Sequence, residues 1–92
     1  MRESTVETYF KRRVKEAGGL ERKWVSPGVR GVPDRVAIFP GGRISFVELK
    51  ATYETLRESQ VRGHARLVAM GCIVHVLDSK ETVDEFIKWR TA

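Results

Sequence analysis

The sequence predicts an α/β domain in which a mixed β-sheet is flanked by helices. Three observations predict it. Apolar residues recur at helical spacing near both ends of the chain. Two alternating stretches in the middle are joined by Pro40-Gly41-Gly42. An apolar, β-branched run from Cys72 to Leu77 lies between two helical stretches. The order is therefore α, β, β, β, α, β, α, and 92 residues leave room for a single domain, residues 1–92.

The first helix is predicted from Ser4 or Thr5 to Ala17, where Gly18-Gly19 stops it. Val6, Phe10, Val14 and Ala17 fall on one side, and Lys11, Arg12, Arg13 and Lys15 on the other. Leu20 to Val25 reads as a short edge strand ended by Ser26-Pro27-Gly28, and a Gly/Pro-rich loop runs on to Pro33. Asp34 to Phe39 and Arg43 to Lys50 form the two arms of a hairpin. A second helix is expected from about Thr55 to Met70, closed by Gly71. The run Cys72 to Leu77 is uniformly apolar or β-branched apart from His75, which predicts a buried strand. Asp78 or Ser79 then caps a last helix through Trp89, with Val83, Phe86 and Ile87 facing inward.

Composition narrows the function. The chain carries 17 Lys and Arg against 12 Asp and Glu, a net charge of +5, and most of the excess lies in residues 1–35. Such a balance favours a polyanionic partner, with nucleic acid first in line. No apolar run approaches the roughly 18 residues needed to span a bilayer, and the first residues lack the apolar stretch of a signal peptide. A cytoplasmic protein without membrane contact is expected. The single Cys72 excludes an internal disulfide and a Cys-cluster zinc site, and reads as an inert buried thiol.

The informative feature is a set of charged residues where the hairpin's apolar pattern should continue. Side chains alternate between the two faces of a strand, so Glu48 and Lys50 share the face of Ile44 and Phe46. A three-residue turn pairs Phe39 with Arg43, and the same register sets Asp34 opposite Glu48. Two carboxylates facing each other across a ladder repel unless a cation lies between them. Oxygen-only ligands suit Mg²⁺ or Mn²⁺ better than Zn²⁺. Lys50 beside such a cation can lower the pKa of an attacking water or neutralise a phosphate oxygen.

Pro33-Asp34, then thirteen residues, then Glu48-Leu49-Lys50 resembles the PD-(D/E)xK nuclease motif. More narrowly, Gly31-Val32-Pro33-Asp34-Arg35, the Gly-Gly turn and Phe46-Val47-Glu48-Leu49-Lys50 resemble the virus-type replication-repair nuclease (VRR-NUC) domain. The resemblance implies an αβββαβ core, here with an extra C-terminal helix, and a phage or prophage origin in a bacterial host. It implies metal-dependent endonuclease activity, often on branched DNA such as Holliday junctions, with 5′-phosphate and 3′-hydroxyl products. Residue by residue, it implies that Asp34 and Glu48 are metal carboxylates, that Leu49 lends its backbone carbonyl, and that Lys50 is the catalytic lysine. Glu7 matches an acidic residue of the first helix that serves the metal and catalysis. Gln60 matches a glutamine of the following helix, although Arg57-Glu58-Ser59-Gln60 departs from the family's serine spacing.

Glu7 has a second reading, because Ser4-Thr5-Val6-Glu7 is also a capping box. Lys23, Arg30 and Arg35 flank the motif and are expected phosphate contacts. His64 and His75 have no carboxylate at ligand spacing in the sequence, and His75 reads as a hydrogen-bonded core residue. Trp24 and Trp89 read as packing residues. The expected function is therefore a Mg²⁺- or Mn²⁺-dependent, structure-selective DNA endonuclease acting as a homodimer. The alternatives are a nuclease for single strands, flaps or nicks, and a non-catalytic nucleic-acid-binding module of the same fold.

Overall fold

The computed structural model describes the whole chain, Met1–Ala92. Its elements are α1 (Glu3–Glu16), β1 (Leu20–Lys23), β2 (Arg35–Phe39), β3 (Arg43–Leu49), α2 (Glu58–Ala69), β4 (Val74–Leu77) and α3 (Lys80–Arg90). The order is the expected one, with most ends trimmed by one to three residues, while α1 starts earlier, at Glu3, and α3 runs one residue further, to Arg90. One sheet runs β1-β2-β3-β4, antiparallel except for the parallel pair β3–β4 that α2 bridges. None of the helices is long and apolar enough to cross a membrane.

Strand alternation divides the sheet into two faces. Ala37, Phe39, Val47, Leu49 and Leu77 point to one face, where Val6, Phe10 and Val14 of α1 and Val83, Phe86 and Ile87 of α3 close the core. Phe86 meets Phe10 and Phe39 at ring-centroid distances of 6.2 and 5.8 Å. Ser79 caps α3 by accepting a hydrogen bond from the Thr82 N–H at 3.1 Å. Arg90 then ties the far end of α3 to the hairpin, donating to Ser45 Oγ at 2.7 Å and to the Ile44 carbonyl at 2.8 Å.

The other face carries Glu48 and is roofed by α2. Two glycines fix that roof. A Cβ on Gly63 of α2 would stand 2.2 Å from the Gly31 carbonyl oxygen, and one on Gly31 would stand 2.0 Å from the Ser59 carbonyl oxygen. Gly31 also takes φ +86°, a conformation L side chains rarely adopt. The loop before Asp34 and the first turns of α2 therefore touch backbone to backbone.

Three expectations are corrected here. β4 is an edge strand with Val76 40% exposed, and its apolar run reflects one face on the core and a partial cover on the other. His75 is wedged against Phe86 and Trp89, with centroids 4.9 and 5.2 Å away, and its buried Nε2 has no hydrogen-bond partner. Cys72 is only partly buried. The two tryptophans pack as expected, Trp24 5.1 Å from Phe46 and Trp89 on His75, with Trp89 half exposed beneath the Arg90 guanidinium.

Candidate active site

The turn expected from the sequence sets the hairpin register. Phe39 pairs with Arg43 and Arg35 with Val47, so one further step brings Asp34 opposite Glu48. Asp34 lies just before β2 and is held from both sides. Its carbonyl accepts from the Trp24 N–H at 2.8 Å, and its Oδ1 accepts from the Leu49 N–H at 3.3 Å. Glu48 is 4% exposed, and so is Lys50, which follows it on the same face. Val47 and Leu49, on either side of Glu48, point into the core.

Two side chains of α2 hold Glu48. Gln60 donates from Nε2 to Glu48 Oε2 at 3.4 Å, while its Oε1 accepts from the Arg57 N–H at 2.9 Å. Gln60 thus caps the helix and reaches the site at once. His64 places Nε2 3.1 Å from Glu48 Oε1, and its ring is buried. Residues four apart share a helix face, so Gln60 and His64 reach the same carboxylate.

The electrostatics are those of crowded acids in a dry place. Burial, reinforced by the charge of Glu48, pushes the Asp34 carboxyl up to about 6, although the Leu49 N–H and Arg35 pull the other way. Burial pushes Glu48 up to about 7 against the opposing charge of Lys50. The charge of Glu3, in the first turn of α1, raises both acids. A hydrogen bond from the Thr52 N–H to the Met1 carbonyl, at 3.0 Å, pins the start of α1 beside the segment that follows Lys50. Burial lowers the pKa of His64, with Lys50 adding to the effect.

The structure brings together Asp34, Glu48, Leu49, Lys50 and Gln60, and places the other expected residues elsewhere. Glu7 neither caps α1, which has no side-chain cap, nor shares the face of Glu48; it forms an ion pair with Arg35. Arg35 is no surface phosphate contact. It is 5% exposed, on the core side with Ala37 and Phe39, and it also pairs with Glu21 at 3.0 Å. Lys23 and Arg30 are exposed. Two residues escaped the sequence reading. His64 has no carboxylate near it in the sequence, but its spacing of four from Gln60 places both on one helix face. Glu3 was masked by Glu7 one turn later.

No group of three or more His, Cys, Asp and Glu side chains forms a ready-made cage for a metal ion. The donors present are two carboxylates and nearby backbone carbonyls. That set suits Mg²⁺ or Mn²⁺, of which Mg²⁺ binds through one or two carboxylates and keeps waters and substrate phosphates as its other ligands. The mutual repulsion of Asp34 and Glu48 is the local observation a cation would answer.

Comparison with known proteins agrees with the motif. No protein-family model matches the chain. It is 48% identical over 81 residues to "Putative nuclease p44" of Acyrthosiphon pisum secondary endosymbiont phage 1, across 88% of this chain and 87% of the phage protein. A solved structure described as a VRR_NUC domain matches with a TM-score of 0.87 and 38% identity, covering 94% of each chain. With the motif residues on the expected hairpin and these likenesses over nearly its full length, this chain belongs to the VRR-NUC family.

Proposed function

We propose that this protein is a metal-dependent DNA endonuclease with structure-selective, junction-resolving activity. The observation that carries the reading is the facing of a half-buried Asp34 and a buried Glu48, with the buried Lys50 on the same face. A module that only binds DNA gains nothing from paired carboxylates near phosphate. The name of the phage relative supports the nuclease part of this reading.

Asp34, Glu48 and the Leu49 carbonyl would hold a Mg²⁺ or Mn²⁺ ion. When bound, such an ion supplies Lewis acidity at the scissile phosphate and offsets the charge that develops there. The chain's own groups do the rest. Lys50 orients water and a phosphate oxygen for in-line attack. Gln60 and His64 fix the rotamer of Glu48, as outer partners of a ligand do. Glu3, whose charge acts on both acids from the first turn of α1, would take the role the resemblance gave to Glu7. Distributed Lys and Arg side chains supply the affinity for DNA, and Lys23 and Arg30 are among them.

A homodimer would set two such sites on one four-way junction. β1 is an edge strand, and Leu20, Ile38 and Ile44 form an exposed cross-strand row beside that edge. Light scattering over a dilution series checks the assembly; a mass of 10.5 kDa at all concentrations and with junction DNA bound removes it. The activity itself is tested with supercoiled plasmid and with four-way junction, flap and linear duplex substrates side by side, with and without Mg²⁺. Nicking without any preference for the junction would retain the nuclease and remove the selectivity.

A further inference from the structure

Beyond the active site, two concavities gather basic side chains: one between α1 and β1, where Glu21 sits among Lys11, Lys15 and Arg22, and one between the 28–31 loop and α2, which has no acidic lining residue. Gly28, Val29 and Arg30 of the loop and Ser59, Arg62 and Arg66 of α2 line the second, so three guanidinium groups meet in one groove. The arginines are exposed, and one acidic neighbour enters the balance: Glu58, 90% exposed, pairs with Arg62 at 3.4 Å. The groove's two walls are locked together, because Gly31 and Gly63 touch backbone to backbone at its base.

Helix geometry sets the groove beside the site. At 100° per residue, Gln60 and His64 lie on one side of Gly63, and Ser59, Arg62 and Arg66 on the other. The loop crosses α2 at Gly63, with Arg30 on the groove side and Asp34 on the site side. Four residue steps separate Arg30 from Asp34, a span of at most about 14 Å. One DNA strand carries a charge for about every 3.4 Å of helix axis, so the groove lies within about four nucleotides of a phosphate at Asp34.

We infer that the groove between the 28–31 loop and α2, lined by Arg30, Arg62 and Arg66, is a second phosphate-backbone clamp that seats the DNA beside the scissile position. The inference rests on the nuclease reading and adds to it the surface that orients the substrate. Guanidinium forks and the Ser59 hydroxyl match phosphate oxygens and read no base, in keeping with selection by DNA shape.

The test is fluorescence anisotropy of the full chain in EDTA, with a duplex and a four-way junction, across a salt series. A variant combining Arg30→Gln, Arg62→Gln and Arg66→Gln is compared with Arg12→Gln, Lys15→Gln and Lys88→Gln combined. The control residues are exposed on α1 and α3, which pack on the opposite face of the sheet. Both sets remove three charges. The groove variant is expected to lose more than tenfold in affinity, and its log K against log salt slope should flatten by about 2 to 3, near 0.9 per lost contact. Exchanging the same three arginines for lysine should keep most of the slope. Equal losses in both sets, or no change in slope, would overturn the clamp. Plasmid nicking in Mg²⁺ separates the two levels. A wild type that binds through the groove and never nicks overturns the nuclease alone. A groove variant that nicks as fast as wild type overturns the clamp alone.

Discussion

His64 Nε2 lies 3.1 Å from Glu48 Oε1, and both side chains are buried beneath α2. This contact ties a carboxylate on a strand to a helix more than a dozen residues later. Outer-shell partners of this kind fix ligand orientation, and losing one typically costs about 10–100-fold in metal affinity. His64→Ala should therefore raise the Mg²⁺ concentration needed for half-maximal cleavage about 10-fold or more, with a smaller change in the rate at saturation. His64→Gln should recover part of the loss. A Mg²⁺ titration of both variants that matches wild type would remove His64 from the site.

Asp34 should destabilise the metal-free fold at neutral pH. Its carboxyl and that of Glu48 sit at about 6 and about 7, above the ordinary carboxylate range. The folded chain thus holds protons that the unfolded chain has released. Stability contributed by these protons is fully present below about pH 4 and is lost as pH rises through 6 to 7. In EDTA, Asp34→Asn should raise stability at pH 8 by about 1 kcal/mol, after discounting for solvent screening, or about 4–8 °C in Tm. The gain should vanish near pH 4. Thermal melts at both pH values check the sign, and a lower Tm at pH 8 would contradict the facing pair.

Gly63 and Gly31 hold the loop on α2, so Gly63→Ala tests whether that contact positions the site. The added methyl would stand 2.2 Å from the Gly31 carbonyl oxygen, and backbone cannot yield as a side-chain tip can. Overpacking of this kind costs about 1–3 kcal/mol. Cleavage should fall further than stability alone explains, because Gln60 and His64 move away from Glu48. Activity per folded molecule equal to wild type would show that the roof does not set the site.

Glu7 and Glu3 should respond oppositely. Glu7→Gln leaves the buried Arg35 with Glu21 alone, and removing one partner of a buried pair is destabilising, here by about 1–3 kcal/mol. Its cleavage rate per folded molecule should hold. Glu3→Gln should change stability little and slow cleavage. Urea melts paired with rate measurements decide, and the reverse pattern would restore Glu7 to the mechanism.

The hairpin was legible because its turn is short and explicit. Gly41 and Gly42 adopt φ of +89° and +73°, the three-residue turn fixes Phe39 against Arg43, and the period of two then places Asp34, Glu48 and Lys50 without further information. The same alternation puts Arg35 on the opposite face from its neighbour Asp34, so closeness in sequence to the motif does not make it a surface phosphate contact. What was not legible depended on contacts between distant elements. The order of strands, which leaves β4 at an edge, is absent from any local pattern. So is the Gly31–Gly63 contact, which decides that α2 lies low enough for His64 to reach Glu48. The capping box at Ser4 and Glu7 does not form because α1 starts earlier, with Arg2 at the N-cap and Ser4 inside the helix, which leaves Glu7 to pair with the buried Arg35.

The central claim is that Asp34, Glu48 and Lys50 form a metal-dependent cleavage site. Its most direct measurement is nicking of supercoiled plasmid by wild type and by Asp34→Asn, Glu48→Gln and Lys50→Ala, each in Mg²⁺, Mn²⁺ and EDTA. Wild type should cut only with a divalent ion, and each variant should lose at least about 100-fold while binding DNA within a few-fold of wild type, since affinity resides in the Lys and Arg contacts. Cleavage that persists in EDTA, or any of the three variants cutting at the wild-type rate, would contradict the account.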